Sequence, residues 1–179
     1  SNQAIVDGSY PYYLSHLYEP DYRALRINAL LDGRAGFTTG DMRDIMLDAK
    51  SLVADRFRRF VLEPHAETVR RLRPTLGPLL DRLLAWDGDE PANARGAVPW
   101  HLVYHHLVRR TFSPLLGEEL TSLWVGVMNF VAGALFRVFA SDAGAWAPPR
   151  VRATLLCEAM EDATRDLQRL GLGLDAPWG

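Results

Sequence analysis

Lysine is nearly absent: Lys50 is the only one, so arginine carries almost all of the positive charge. Twenty basic side chains against 22 acidic ones leave a formal net charge of −2, which excludes the strongly basic character of a nucleic-acid binder. Cysteine is as scarce. Cys157 alone cannot close an internal disulfide and fixes no redox compartment, and its place in an apolar helical run is that of a buried thiol. No Gly-rich phosphate loop, Cys-x-x-Cys pair or Ser-His-Asp order stands out. The chain does not open on a basic segment followed by an apolar one, as an export signal does. Long hydrophobic runs are missing too. Thr121 to Phe136 is uncharged and rich in Trp, Val and Phe, but it is 16 residues long and closed by Arg137. A bilayer span needs roughly 20 residues, so this stretch is expected to be a buried central helix.

What is present is helical. With 179 residues, 48% of them hydrophobic, there is room for one domain with a real core over 1–179. Residues 1–19 read as an extended and turn-forming lead, broken by Gly8-Ser9 and Pro11, and helices are expected over 20–171. Pro20-Asp21 opens the first helix, with Leu25, Leu30 and Leu31 on one side and Gly33 at its end. Thr38 or Thr39 can cap a second helix whose first turn carries Asp41. Its apolar positions, from Ile45 through Phe57 to Val61, recur every three or four residues up to Pro64. A third helix is expected over about 76–86, then a loop over 87–96, and a fourth helix through Trp100 and Leu107 to near Pro114. The apolar fifth helix begins about Glu118, Gly144 to Pro149 forms a linker, and 151–170 makes a last amphipathic helix whose Glu158, Glu161, Asp162 and Arg165 face water. The fold class is therefore mainly α: an irregular helical bundle with a short extended N-terminal lead.

Three stretches carry a resemblance. The opening SNQAIVDGSYPYYLSHLYEPDYRALRINALL joins an Asn-bearing lead, a Tyr-Pro turn and an Arg-bearing helix start. Later come Leu83-Leu84-Ala85-Trp86-Asp87-Gly88, and then LLCEAMEDATRDLQRLG followed by Pro177-Trp178-Gly179. In this order they resemble an inner, helical segment of the large subunit of the penicillin amidase family, which includes penicillin acylases and acyl-homoserine-lactone acylases. Members are N-terminal-nucleophile hydrolases of larger α/β architecture that cleave acyl amides through an N-terminal Ser. The resemblance implies that this segment is inactive without the catalytic core, and that its partners are the remaining segments of the parent enzyme and, through the parent, a small acyl-amide substrate. Neither nucleic acid nor a membrane is implied. The parent enzymes are often periplasmic or secreted; the sequence itself fixes no compartment.

The family's oxyanion-hole Asn corresponds to Asn2, and its active-site Arg to Arg23, with Arg26 as the neighbour that a small shift of alignment would substitute. A fixed neutral donor at Asn2 would stabilise the negative charge that develops on the carbonyl oxygen in the tetrahedral intermediate. Tyr12 and Tyr13, in the turn, are expected to border substrate. Ser1-Asn2 imitates the processed start of the family's large subunit, where a free α-amine activates the Ser hydroxyl. The residues after it match the later Asn–Tyr-Pro segment instead, so Ser1 is not expected to be the nucleophile. The family often carries a structural calcium, but the carboxylate expected after the Tyr-Pro turn falls at or near Leu14, which cannot ligate; no cofactor is expected in this segment.

Other constellations are weaker. His101 and His105 have the i, i+4 spacing of a zinc pair, but no Glu follows His101 and no third ligand is evident, so no metal site is expected. Arg56-Phe57-Arg58-Arg59 and Arg70-Arg71 are read as a solvated face among scattered carboxylates. Trp86-Asp87-Gly88 reads as a helix end capped by glycine. A competing class remains open: a non-catalytic helical interaction module that forms a homodimer through the apolar stretch 121–136.

Overall fold

The computed structural model describes residues 3–15, 18–127, 130–141 and 146–179. Among them regular structure is helical, and β pairing is confined to two isolated bridges, Lys50 with Asp89 and Arg95 with Pro177. After a lead without helix or strand come α1 (Tyr22–Leu31), α2 (Thr39–Met46) and α3 (Leu52–Phe57). A π-helical turn (Arg58–Leu62) joins α3 to α4 (Glu63–Leu72), and a 3₁₀ turn (Pro74–Leu76) leads into α5 (Gly77–Ala85). The remainder is α6 (Ala97–Leu116), α7 (Glu118–Val127), α8 (Val131–Ala140) and α9 (Pro149–Arg169). The expected linker over 144–149 lies partly outside the described residues.

The second expected helix is broken. A capping box starts α2: the Asp41 N–H donates to Thr38 Oγ1 at 3.1 Å, and the Thr38 N–H returns a bond to the Asp41 carboxylate at 2.9 Å. The helix stops at Met46, and Ser51 begins another at α3. Between them Lys50 pairs with Asp89, and its ammonium donates to the Asp87 carbonyl, so the chain turns to meet the loop after α5 instead of continuing. Nor does Pro64 end the run. It sits in the first turn of α4, directly after the π turn, where a missing backbone N–H costs least.

The apolar stretch 121–136 is not one central helix. α7 and α8 are separate and bent by 116° with respect to one another. α8 is the buried arm, with Val131, Ala132, Leu135, Phe136 and Phe139 inside. α7 leaves Leu120 and Leu123 exposed and leans on α6 through Phe112 and Trp124, whose rings meet edge to face at 4.9 Å. Gly126 and Asn129 are poor helix formers and were the local signal for a break. Among the described residues no single helix is long and apolar enough to cross a membrane; only the bent pair passes, on length and composition.

α6 and α9 form the most extensive helix pairing among the described residues, burying Trp100, Val103, Leu107 and Val108 of α6 and Leu156, Cys157, Met160 and Ala163 of α9. Phe57, Leu62, Leu80, Leu83 and Leu135 complete the core from the shorter elements. The acidic side of α9 is not simply a solvated face. Arg110 of α6 donates to Glu158 at 2.6 Å and to Asp162 at 2.5 Å, and His106 meets Asp166 at 2.8 Å. Of the four residues expected to face water, only Arg165 is fully exposed. Charge pattern on one helix cannot reveal a basic partner helix some fifty residues away.

Candidate functional site

The lead is organised by Asp7, whose carboxylate accepts from the Ser9 amide at 2.9 Å and the Ser9 hydroxyl at 2.5 Å. The Ser9 hydroxyl holds this carboxyl below its ordinary range. The Tyr10 N–H donates to the Asp7 carbonyl at 3.2 Å, closing the turn that presents Tyr10-Pro11. Tyr10 and Tyr12 meet edge to face at 5.8 Å. Tyr12 and Tyr13 are 73% and 76% exposed. Asn2 and Ser1 lie outside the described residues.

Where the lead enters α1 it forms one wall of a cleft of about 480 Å³; the π turn and α8 form the others. Tyr18, Glu19 and Asp21 come from the lead, Arg56 and Phe60 from α3 and the π turn, and Phe136 and Arg137 from α8. Arg56 lies over the Tyr22 ring at 4.7 Å and reaches Asp21 at 3.7 Å, tying the start of α1 to α3. Burial, outweighing the nearby Arg56 charge, raises the Tyr22 hydroxyl. Phe60 packs on Phe136 at 6.2 Å across the floor. The extra residue in a π turn re-aims the side chains around it, which is how Phe60 comes to line the cleft beside Arg56.

Arg23 is not among the residues lining the cleft. Its guanidinium is 3.4 Å from the Glu19 carboxylate, with 66% of the side chain exposed. Arg26, the alternative, is committed elsewhere: Nε and Nη2 donate to the two oxygens of Asp48 at 2.9 and 2.6 Å. Glu19 is thus the link between Arg23 and the cleft; Tyr12 and Tyr13 are not among the residues lining it. The arrangement supplies two cations, Arg56 and Arg137, opposite two carboxylates, Glu19 and Asp21, over an aromatic floor. It can orient a polar group. With these side chains the cleft supplies positioning and charge. Sequence reading missed Phe60 and Arg137, and placed Arg56 on a solvated face; the π turn that gathers them has no local sequence signature.

The other candidates are placed as follows. His101 stacks on Trp178 at 4.4 Å and lies 3.4 Å from Glu90, while His105 meets His106 edge to face at 5.4 Å. Burial, helped by the neighbouring His106, lowers the His105 imidazole. Among the described residues no three metal-ligating side chains converge. At the position corresponding to the calcium-binding carboxylate, the Leu14 side chain carries no oxygen ligand. Arg58 pairs with Asp55 and Glu63, and Arg70 with Asp81. Trp86-Asp87-Gly88 lies just past α5, and Gly88 is not its cap: the Gly88 carbonyl accepts from the Ser51 amide at 2.7 Å, joining the loop to the start of α3.

The sequence of residues 1–179, the whole chain, matches the family described as Penicillin amidase. No curated protein matches the chain.

Proposed function

The chain belongs to the penicillin amidase family of amidase-type hydrolases, and from that membership we propose that it forms a helical part of an enzyme cleaving an acyl amide such as a penicillin or an acyl-homoserine lactone. In this reading a Ser hydroxyl at the start of the large subunit attacks the amide carbonyl while its own α-amine takes the proton. The tetrahedral oxyanion accepts a hydrogen bond from the Asn2 side-chain N–H. Collapse breaks the C–N bond, the amine leaves with the proton, and water then releases the acid from the acyl-enzyme. Arg23 positions the nucleophile's surroundings from α1, and Tyr12 and Tyr13 border the substrate from the exposed turn. Structural calcium, where the parent holds it, is not drawn from Leu14.

The observation that carries this reading is a family match over the whole chain combined with an architecture whose regular elements are helical among the described residues. The nucleophile then belongs to a part of the enzyme other than these helices, and the isolated chain is inactive. The experiment is hydrolysis of chromogenic acyl amides by the isolated chain, with mass analysis after a serine-directed sulfonyl fluoride. Absence of turnover and adduct is expected. Turnover with an adduct on Ser1 would instead make the chain a self-sufficient N-terminal-nucleophile hydrolase.

A second reading, a homodimerising helical module, is favoured by one feature. An apolar groove of about 1240 Å³ runs between the end of α6, α7 and α8, with Leu120, Leu123 and Trp146 exposed along it. Sedimentation of the isolated chain tests it, and a monomer at high concentration would rule it out.

A further inference from the structure

Behind the bridge between Lys50 and Asp89 lies a smaller cavity of about 320 Å³, separate in its lining from the cleft at α1. Its hydrocarbon wall is Val53, Val125, Val131 and Ala132; its polar lining includes Trp100, His101 and Glu90. Trp100 is 3% exposed, and its indole N–H has no hydrogen-bond partner. The neighbouring Trp86 shows what such a group ordinarily does: its indole N–H donates to the Asp89 carbonyl at 3.2 Å. Trp100 stacks on Tyr104 at 5.2 Å and 7°, and Trp86 and Phe57 press on it from 5.5 and 5.7 Å. Tyr104 covers one face of the indole, and Trp100 itself lines the cavity.

His101 repeats the pattern. One face stacks on Trp178 at 20°, and the buried Nε2 makes no hydrogen bond, since the Glu90 oxygen 3.4 Å away lies outside bonding geometry. A donor-only indole N–H, an imidazole nitrogen and a carboxylate therefore converge on one apolar cavity of ligand size. A buried donor left unpaired is costly, so the arrangement favours a ligand that supplies an acceptor.

We propose that this cavity binds a small aliphatic carboxamide, its carbonyl oxygen accepting from Trp100 Nε1–H, its amide N–H donating to Glu90, and its branched alkyl group lying on the valines. A carboxylate would set a second negative charge beside Glu90, and an ammonium would leave Trp100 without an acceptor. The inference rests on this geometry alone and stands or falls independently of the hydrolase reading.

The test is titration of the 179-residue chain with isobutyramide, followed by the ¹H–¹⁵N indole cross-peak of Trp100, which Trp100→Phe identifies by its loss. A saturable shift is expected, with binding about tenfold weaker in Glu90→Ala and about tenfold weaker for isobutyrate than for the amide. No saturable shift would overturn the proposal; so would equal affinity for isobutyrate and isobutyramide, or unchanged affinity in Glu90→Ala. If Trp100→Phe does not fold, assignment through the spectrum of the unsubstituted chain leaves the Glu90→Ala and isobutyrate arms intact.

Discussion

Arg26 grips Asp48 with both arms of its guanidinium, and this pair fastens α1 to the segment that follows α2. The hydrogen bond from Arg26 pulls the Asp48 carboxyl below its ordinary range. Arg23, one turn away, lies 3.4 Å from the Glu19 carboxylate, with 66% of its side chain exposed. Two arginines on one helix are thus held differently: Arg26 is bound bidentately to Asp48, and Arg23 is mostly exposed.

The difference has separable consequences. Arg26→Ala is expected to cost about 1 kcal/mol of stability, the upper range for a partly exposed but bidentate pair, measured by urea denaturation. Arg23→Ala is expected to leave the denaturation midpoint within error. In the active hydrolase, Arg23→Ala should lower kcat by about tenfold or more with little change in KM, as loss of an interaction realised only in the transition state does. Partial recovery in Arg23→Lys would mark the charge as the operative feature; an unchanged kcat in Arg23→Ala would remove Arg23 from the site.

Arg152 is a structural charge. It is 5% exposed, and its guanidinium donates to the carbonyls of Ala147 at 2.9 Å, Phe139 at 3.0 Å and Ser141. Phe139 and Ser141 close the C-terminal end of α8, where unpaired carbonyls need donors. Arg152→Leu keeps the bulk and removes all three bonds, and is expected to destabilise the chain by about 3 kcal/mol in urea denaturation. Arg152→Lys should recover only part of this, because an ammonium lacks the planar fork that spans three acceptors.

The helical class, the break at Gly8-Ser9 and the apolar sides of α5 and α6 were legible because each rests on local spacing or composition. Leu79, Leu80, Leu83 and Leu84 have the spacing of an inward face; the first three are buried and Leu84 half-buried, and Cys157 is buried. The misses share a cause: each is a long-range event. The break before Ser51 is imposed by a bridge to Asp89, the face of Glu158 and Asp162 by Arg110, and the cleft beside Arg23 by a π turn meeting α8. α1 departs differently. Leu25 and Leu31 lie on a helix with no buried residue, so periodicity located the apolar side without showing what covers it.

Acid should loosen α9 from α6. Burial alone would raise the Asp162 carboxyl, but the hydrogen bond and charge of Arg110, with His106 and Arg165, leave it lowered. Asp166 is lowered chiefly by its bond to His106. A carboxyl depressed in the folded state contributes stability above its unfolded pKa, near 3.9, and loses it as pH falls through the folded value. Stability in urea is therefore expected to decline below about pH 4. Asp162→Asn should flatten that decline while lowering stability at neutral pH; an equally steep decline in Asp162→Asn would place the acid-sensitive contact elsewhere.

Two glycines separate conformational strain from steric exclusion. Gly171 follows α9 with φ +69°, and no atom lies within 4 Å of the position a Cβ would take. The Leu172 N–H donates to the Leu167 carbonyl at 2.8 Å, as expected where a left-handed residue ends a helix. Gly88 has φ +81°, but a Cβ there would stand 3.0 Å from the Ser51 carbonyl oxygen and 3.1 Å from Ala54 Cβ. Gly171→Ala should thus cost only the left-handed penalty, about 1 kcal/mol, whereas Gly88→Ala must also displace the start of α3 and should cost about twice that. Equal losses in urea denaturation would mean that the Trp86-Asp87-Gly88 loop yields to the added methyl, and that its approach to Ser51 is not what requires glycine.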